Sequence, residues 1–407
     1  MKRICLFFIL LSCAVADNWS EVPSGVGQFH HLTTIKFFSP TTGFIGGSLG
    51  DILKTTDGGT TWVRKPSGFN NVTFFFIHFV DAQIGIISAG GGIICRTTNG
   101  GESWTQIVSP TSNHLFDGFF VNATTGYLCG QNATVLKTTN TGLTWTDLGQ
   151  HDPGRDYLGC YYFSEAVGIL PFSNLSIRKT MNGGLTYGNM FALSNFAKDI
   201  TFINSQTGFV VGNGGFIDKT TDAGDSWTQV QATGQGYNLE AISFLNNQTG
   251  YAVGPRDGNL NGMIFKTVNQ GTNWTLDTIT QYTLIDVISN GSDIWVVGEN
   301  GKIYHSGNPL SITQSSSEAP KKFSLAQNYP NPFNPTTHIA INIEKLADVR
   351  LVVYNMTGKE IQTLINEKLQ PGIYKVNFDG SKLTSGIYFY TMTAGNFTDT
   401  KKMILVK

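Results

Sequence analysis

The chain has 407 residues, with 27 Lys+Arg against 28 Asp+Glu for a net charge of −1, and a charged fraction of only 14%. An ordinary soluble domain carries roughly 25%. Hydrophobic residues at 40%, aromatics at 12% and 47 glycines supply a core and exclude collagen, disorder and coiled coil. No basic excess exists to form a nucleic-acid surface, and beyond the N-terminal segment no apolar run approaches the roughly 20 residues of a membrane-spanning helix.

Residues 1–16 read MKRICLFFILLSCAVA: Lys2 and Arg3 precede a short apolar stretch, and Ala14-Val15-Ala16 gives a small-x-small cleavage site before Asp17. This pattern predicts a secretory signal peptide. Cys13 as a lipidation site is a poor fit, because Leu11 stands two residues before it. Cys95, Cys129 and Cys160 remain after cleavage, without C-x-x-C spacing. They read as buried small hydrophobes rather than as one disulfide plus a free thiol.

A phrase of the form TTDGGTTW recurs, ending at Trp62, Trp104, Trp145, Tyr187, Trp227 and Trp274, at intervals of 42, 41, 42, 40 and 47 residues. Ahead of each lie three short alternating apolar runs, so each period holds four strands. That is the pattern of a β-propeller blade, which must stack on neighbours to bury its faces. Residues 284–306 supply three strands of a further blade without a Trp strand, and Trp19 sits in a Trp strand with no blade before it. Joining the two ends closes a seven-bladed ring and leaves no free sheet edge. The expected fold is therefore all-β, with the propeller over residues 17–310.

The repeated phrase resembles the BNR or Asp-box repeat, with Thr55, Asp57, Gly59, Thr61 and Trp62 as its fullest match. The expected role is structural: the side chain of Asp57, Asn99, Asn140, Asn182, Asp222 or Asn269 bonds its own turn, and the following aromatic packs the turn onto the blade. The cadence over residues 211–227 also resembles the photosystem II stability and assembly factor propellers, a family that acts by binding protein.

After a polar stretch at residues 311–322, expected to be a linker, the composition changes. Residues 323–407 alternate as strands over 338–343, 349–354, 372–378, 386–393 and 401–406, which predicts a small Ig-like β-sandwich. The motifs Tyr329-Pro330-Asn331-Pro332-Phe333-Asn334-Pro335, Gly372-Ile373-Tyr374, Gly386-Ile387-Tyr388 and the terminal KKMILVK closely resemble the type A C-terminal sorting domain of the type IX secretion system of Bacteroidetes-like bacteria. The resemblance implies that the type IX machinery is a partner of residues 323–407, and that the chain is exported to the cell surface or released. Residues 17–310 carry 14 Lys+Arg against 21 Asp+Glu and the remainder of the chain from 311 carries 11 against 7, so the two modules differ in charge sign.

Ligands of propellers usually bind at the mouth of the central channel, on the loops joining successive blades. Candidate binding residues there are His114, the cluster His151, Asp152, Arg155, Asp156 and Tyr157, then Tyr237, and Arg256 with Asp257 in the insertion that lengthens one repeat. Against chemistry, no H-x-H or H-x-x-x-H spacing suggests a metal site, and no cofactor motif is present. Asp117, Asp199 and Glu240 are candidate paired carboxylates for glycoside hydrolysis, but solvated or turn-bonded acids are the better reading. The expected function is a secreted or surface propeller that binds a protein or a glycan, with a single-propeller glycoside hydrolase as the alternative.

Overall fold

A computed structural model describes residues 17–407 apart from 18, 150, 151, 153, 174, 189, 231–236, 256–260, 292, 307–311, 317–319, 370, 381 and 382. The expected signal peptide, His151, Arg256 and Asp257 lie outside the described residues. The described residues form nine four-stranded antiparallel sheets and no α-helix. They fall into two compact units.

Seven sheets are propeller blades. Their first strands are Leu32–Phe37, Phe74–Phe79, Leu115–Phe120, Tyr161–Tyr162, Ala197–Phe202, Ala241–Phe244 and Leu284–Asn290, and each contacts the first strand of the next blade around the full circle. The ring closes as the repeats predict. Trp19–Val22 pairs antiparallel with Ile303–Ser306 of blade 7, Trp19 opposite Ser306. Trp19 Nε1 donates to Asp277 at 2.6 Å, and Asp17 accepts from Tyr251 Oη at 2.5 Å and Lys266 Nζ at 2.6 Å.

Second strands such as Gly43–Gly47 and Gly126–Gly130 are buried at every position, because each is flanked by two strands in its sheet and covered by two neighbouring blades. The leading glycine is needed for close approach. A Cβ at Gly126 would lie 2.7 Å from the Phe120 ring on the first strand. Neighbouring blades are stapled by a cation on the third strand: Lys54 Nζ, Arg96 Nε, Lys179 Nζ and Lys219 Nζ donate to the carbonyls of Gly100, Thr141, Ala223 and Gln270 in the next blade's turn, at 2.8–3.0 Å. Lys54, Lys219 and Lys266 also lie over the rings of Phe44, Phe209 and Tyr251.

The second unit holds two sheets. Ile312–Ser316, Gly372–Asp379, Thr336–Ile343 and Ser324–Leu325 form one, and Glu360–Leu369, Ala347–Asn355, Gly386–Ala394 and Phe397–Leu405 the other. Both contribute to one core that includes Ile339, Ile341, Leu351, Val353, Val376, Tyr390 and Met403. The linker expectation needs correction: Ile312–Ser316 is an edge strand paired with Gly372–Asp379, where backbone pairing suits a polar sequence that carries no apolar alternation. The Pro-rich motif clamps the last strand. Phe333 is buried, its N–H donates to Ile404 O, and Asn331 Oδ1 accepts from Ile404 N, both at 2.9 Å.

Candidate functional site

The loops entering each blade and the turns between second and third strands share one face of the propeller. Most of the turns are short 3-10 segments whose middle residue is left-handed: Leu49, Gly91, Asn132, Gly214 and Asn300. They are laced to the entering loops. Ser48 N donates to His31 O at 2.8 Å, Gln131 N to His114 O at 2.8 Å, Asn213 N to Phe196 O at 2.9 Å and Glu299 N to Thr283 O at 3.0 Å. Loops held at both flanks make a firm rather than a mobile face, which is what a binding surface requires to avoid an ordering cost.

The first strands meet this face through a β-bulge in blades 1, 2, 3, 5 and 7, where Thr33, Phe75, Phe116, Lys198 and Ile285 are the extra residues. Bulges re-aim side chains at the rims of closed structures. Phe75 and Phe116 touch across a blade boundary with ring centroids 5.5 Å apart, and exposed His114 stacks on Phe116 at 6.0 Å. Lys198 pairs with Glu240 at 3.2 Å. Farther out, Phe29, Leu49, Leu175 and Phe196 are exposed. The mouth is thus aromatic on one side, charged on the other and ringed by single apolar side chains.

The structure redistributes the predicted residues. His114 is at the mouth. Arg155 is exposed, and its carbonyl accepts from Ala133 N at 2.6 Å. Asp156 is committed to the loop, accepting from Asn132 N at 3.0 Å. Asp152 pairs with Arg178, which lies over Phe172. Tyr157 requires correction as a surface contact: it is fully buried, packed on Phe172 and Tyr187, because its ring fills the inter-blade core at the position that Leu32, Phe74 and Leu115 hold in blades 1 to 3. Tyr237 is half-buried against Phe265. The sequence reading passed over Phe75, Phe116 and Lys198, whose signal is their shared place one residue after the first core position of their blades.

At the bottom of each repeat the Asp-box residues bond within their own turns. Asn99 Oδ1 accepts from Thr97 Oγ1 at 2.8 Å and Ser103 N at 3.0 Å, while Thr97 Oγ1 accepts from Gly101 N at 3.0 Å. Asn140, Asn182, Asp222 and Asn269 repeat this arrangement. Trp62, Trp145 and Trp274 are buried, while Trp104, Tyr187 and Trp227 are half-buried between blades.

Below the mouth, three carboxylates occupy the same post-bulge position of their blades. Asp117, Asp199 and Asp286 each accept a backbone N–H from the next blade, from Cys160 at 2.9 Å, Ile242 at 2.8 Å and Ile35 at 2.8 Å. Burial raises Asp117 to about 7, Asp199 to about 8 and Asp286 to about 6, and each is half-buried. Removal of a carboxylate from water disfavours its charged form. They interact with one another, and Lys36 acts on Asp117, Asp286 and His78, a convergence of five blades that only the central channel allows. Glu240 is not part of it, being held by Lys198.

Residues 327–407 match the secretion system C-terminal sorting domain, and residues 11–110 and 189–280 match the photosynthesis system II assembly factor YCF48 family. No curated protein is significantly similar to the chain in sequence. Among solved structures, YCF48 bound to D1 peptide is similar at 15% identity and a TM-score of 0.60, over 74% of this chain and 100% of that one. YCF48 from Cyanidioschyzon merolae is similar at 18% identity and 0.59, over 71% and 98%, and the WD40 propeller domain of Doa1 at 11% and 0.56, over 71% and 97%. The chain joins a seven-bladed propeller, similar to the photosystem II assembly-factor propellers over the residues their family model matches, to a domain that matches the secretion system C-terminal sorting domain.

Proposed function

We propose that this is an exported, surface-attached or released propeller that binds an extended segment of a protein at its channel mouth. The observation that carries the reading is the half-exposed pair Phe75 and Phe116 beside His114. Aromatic side chains at the centre of a firm face serve as anchors, because they bury much area at little entropic cost. The facing Lys198 and Glu240 pair offers a donor and an acceptor to a backbone or a polar side chain. A YCF48 structure that shares the fold is described as bound to a peptide, which supports a peptide over a glycan as the ligand class. The C-terminal domain supplies the route: we read residues 323–407 as the signal for type IX export after removal of residues 1–16.

The test is a displayed library of random peptides panned against the chain, with Phe116→Asp as the counter-screen. Selected peptides should lose at least 10-fold in affinity on Phe116→Asp, whereas peptides indifferent to that change would place binding elsewhere. Secretion is tested by truncation after Leu310, which should leave the propeller inside the outer membrane; its appearance in the medium would refute the sorting role.

The hydrolase alternative draws on Asp117 and Asp199, whose raised values suit a proton donor. Each spends an oxygen on a backbone N–H of the next blade, a structural duty. Release of reducing sugar from polysaccharides that is abolished by Asp199→Asn would favour the alternative.

A further inference from the structure

We propose that Asp117, Cys129 and Cys160 form a binding site for one thiophilic metal ion of the zinc class, set between blades 3 and 4. Their three potential ligand atoms lie within 4.8 Å of one another. Cys129 faces Asp117 across the strand ladder. Cys160 belongs to the next blade, drawn in by the bond from its N–H to Asp117 Oδ2.

The other blades provide an internal control. Asp199 and Asp286 hold the same position as Asp117 and make the same cross-blade bond, but face Val211 and Val297 on their own blades and Ile242 and Ile35 on the next. The carboxylate therefore needs only aliphatic neighbours to do its structural work. Thiols replace both of those neighbours at one carboxylate, and all three donors come from separate elements. Both cysteines are free and buried, at 0% and 4% exposure, among Tyr127, Tyr157, Tyr162 and Leu170.

Two thiolates and one carboxylate suit a tetrahedral zinc ion, with bonds of about 2.0–2.3 Å that bring the donor atoms to roughly 3.5 Å apart, and leave a fourth position for a water. On binding, each thiol forms a metal–sulfur bond and loses its proton to water, and Asp117 coordinates through one carboxylate oxygen, giving up its proton to water where it is protonated. Because both thiols must lose a proton to bind, uptake releases protons.

The experiment uses the full chain, reduced and stripped with chelator, and titrates Co(II) as a spectroscopic probe before displacement by Zn(II). One equivalent of Co(II) should give thiolate-to-cobalt charge transfer in the near ultraviolet. Cys129→Ser or Cys160→Ser should abolish that band and weaken Zn(II) by at least ~100-fold, and Asp117→Asn by at least ~10-fold; Cys95→Ser should change neither. The double variant Cys129→Val/Cys160→Ile copies the residues around Asp199 and should fold without metal uptake. Absence of charge transfer in the reduced chain, Zn(II) binding that persists in the double variant, or a Cys129–Cys160 disulfide in the exported protein would each overturn the site.

Discussion

The two ends of the propeller obey different rules. At the Asp-box end, Asn99, Asn140, Asn182, Asp222 and Asn269 make near-identical bonds to a threonine two residues back and to a backbone N–H four residues on. At the mouth, the corresponding bulge positions carry Thr33, Phe75, Phe116, Lys198 and Ile285. A turn that must close the same four-stranded sheet six times has one good solution and repeats it. A surface that recognises something outside the chain needs different side chains around the circle. Repetition therefore marks what holds the fold, and its breakdown marks the face on which binding is proposed.

The comparison can be broken first at the ring closure. Deleting residues 17–22 removes a paired strand, the Trp19 contact with Tyr251 and the Asp17 bonds to Lys266 and Tyr251, and should cost about 3 kcal/mol or more. Thermal melting measures it, and an unchanged midpoint would refute the closing role.

A single repeated turn is worth less. Thr138 is 1% exposed, and its hydroxyl accepts from Gly142 N and donates to Asn140. Thr138→Ala should destabilise by about 1–3 kcal/mol in denaturant titration, and peptide affinity should not follow.

The channel acids come next. Asp199 stands at about 8 in the folded chain against 3.8 for the free side chain, raised chiefly by burial and secondarily by Asp117 and Asp286. A folded value above the unfolded one stabilises fully below about pH 4 and loses that stabilisation as pH rises through 8. The melting midpoint should therefore fall between pH 5 and 9, and Asp199→Asn should flatten that fall by roughly 2–4 °C. A slope that survives the substitution would assign it to other groups.

The smallest stability effect is expected where the functional effect is largest. Phe116→Asp alters a half-exposed side chain and should shift stability by no more than about 0.5 kcal/mol. Loss of peptide capture with an unchanged melt would sharpen the division between the two faces. A coupled loss of both would blur it.

Blade number, the Asp-box turns and the closing strand were legible because each depends on local pattern: a Trp or Tyr every 40 to 47 residues, a Gly in each turn, an orphan Trp strand at one end and an orphan triplet at the other. The site was less legible. Tyr157 and His114 look alike as polar loop residues, and only packing shows that one fills the inter-blade core while the other lies open. The strand Ile312–Ser316 was hidden because an edge strand can pair by backbone alone.

The sequence by itself determined the repeat, the class of fold and the second module, since periodicity and turn chemistry are encoded within a few residues of each other. Tertiary structure decided which side chains meet. Asp117, Asp199 and Asp286 converge only when the ring closes, Cys129 and Cys160 meet only across a blade boundary, and Phe75 reaches Phe116 only because two bulges turn them toward one rim. These are contacts between blades, and the stacking of blades around an axis leaves no mark in the spacing of residues along the chain.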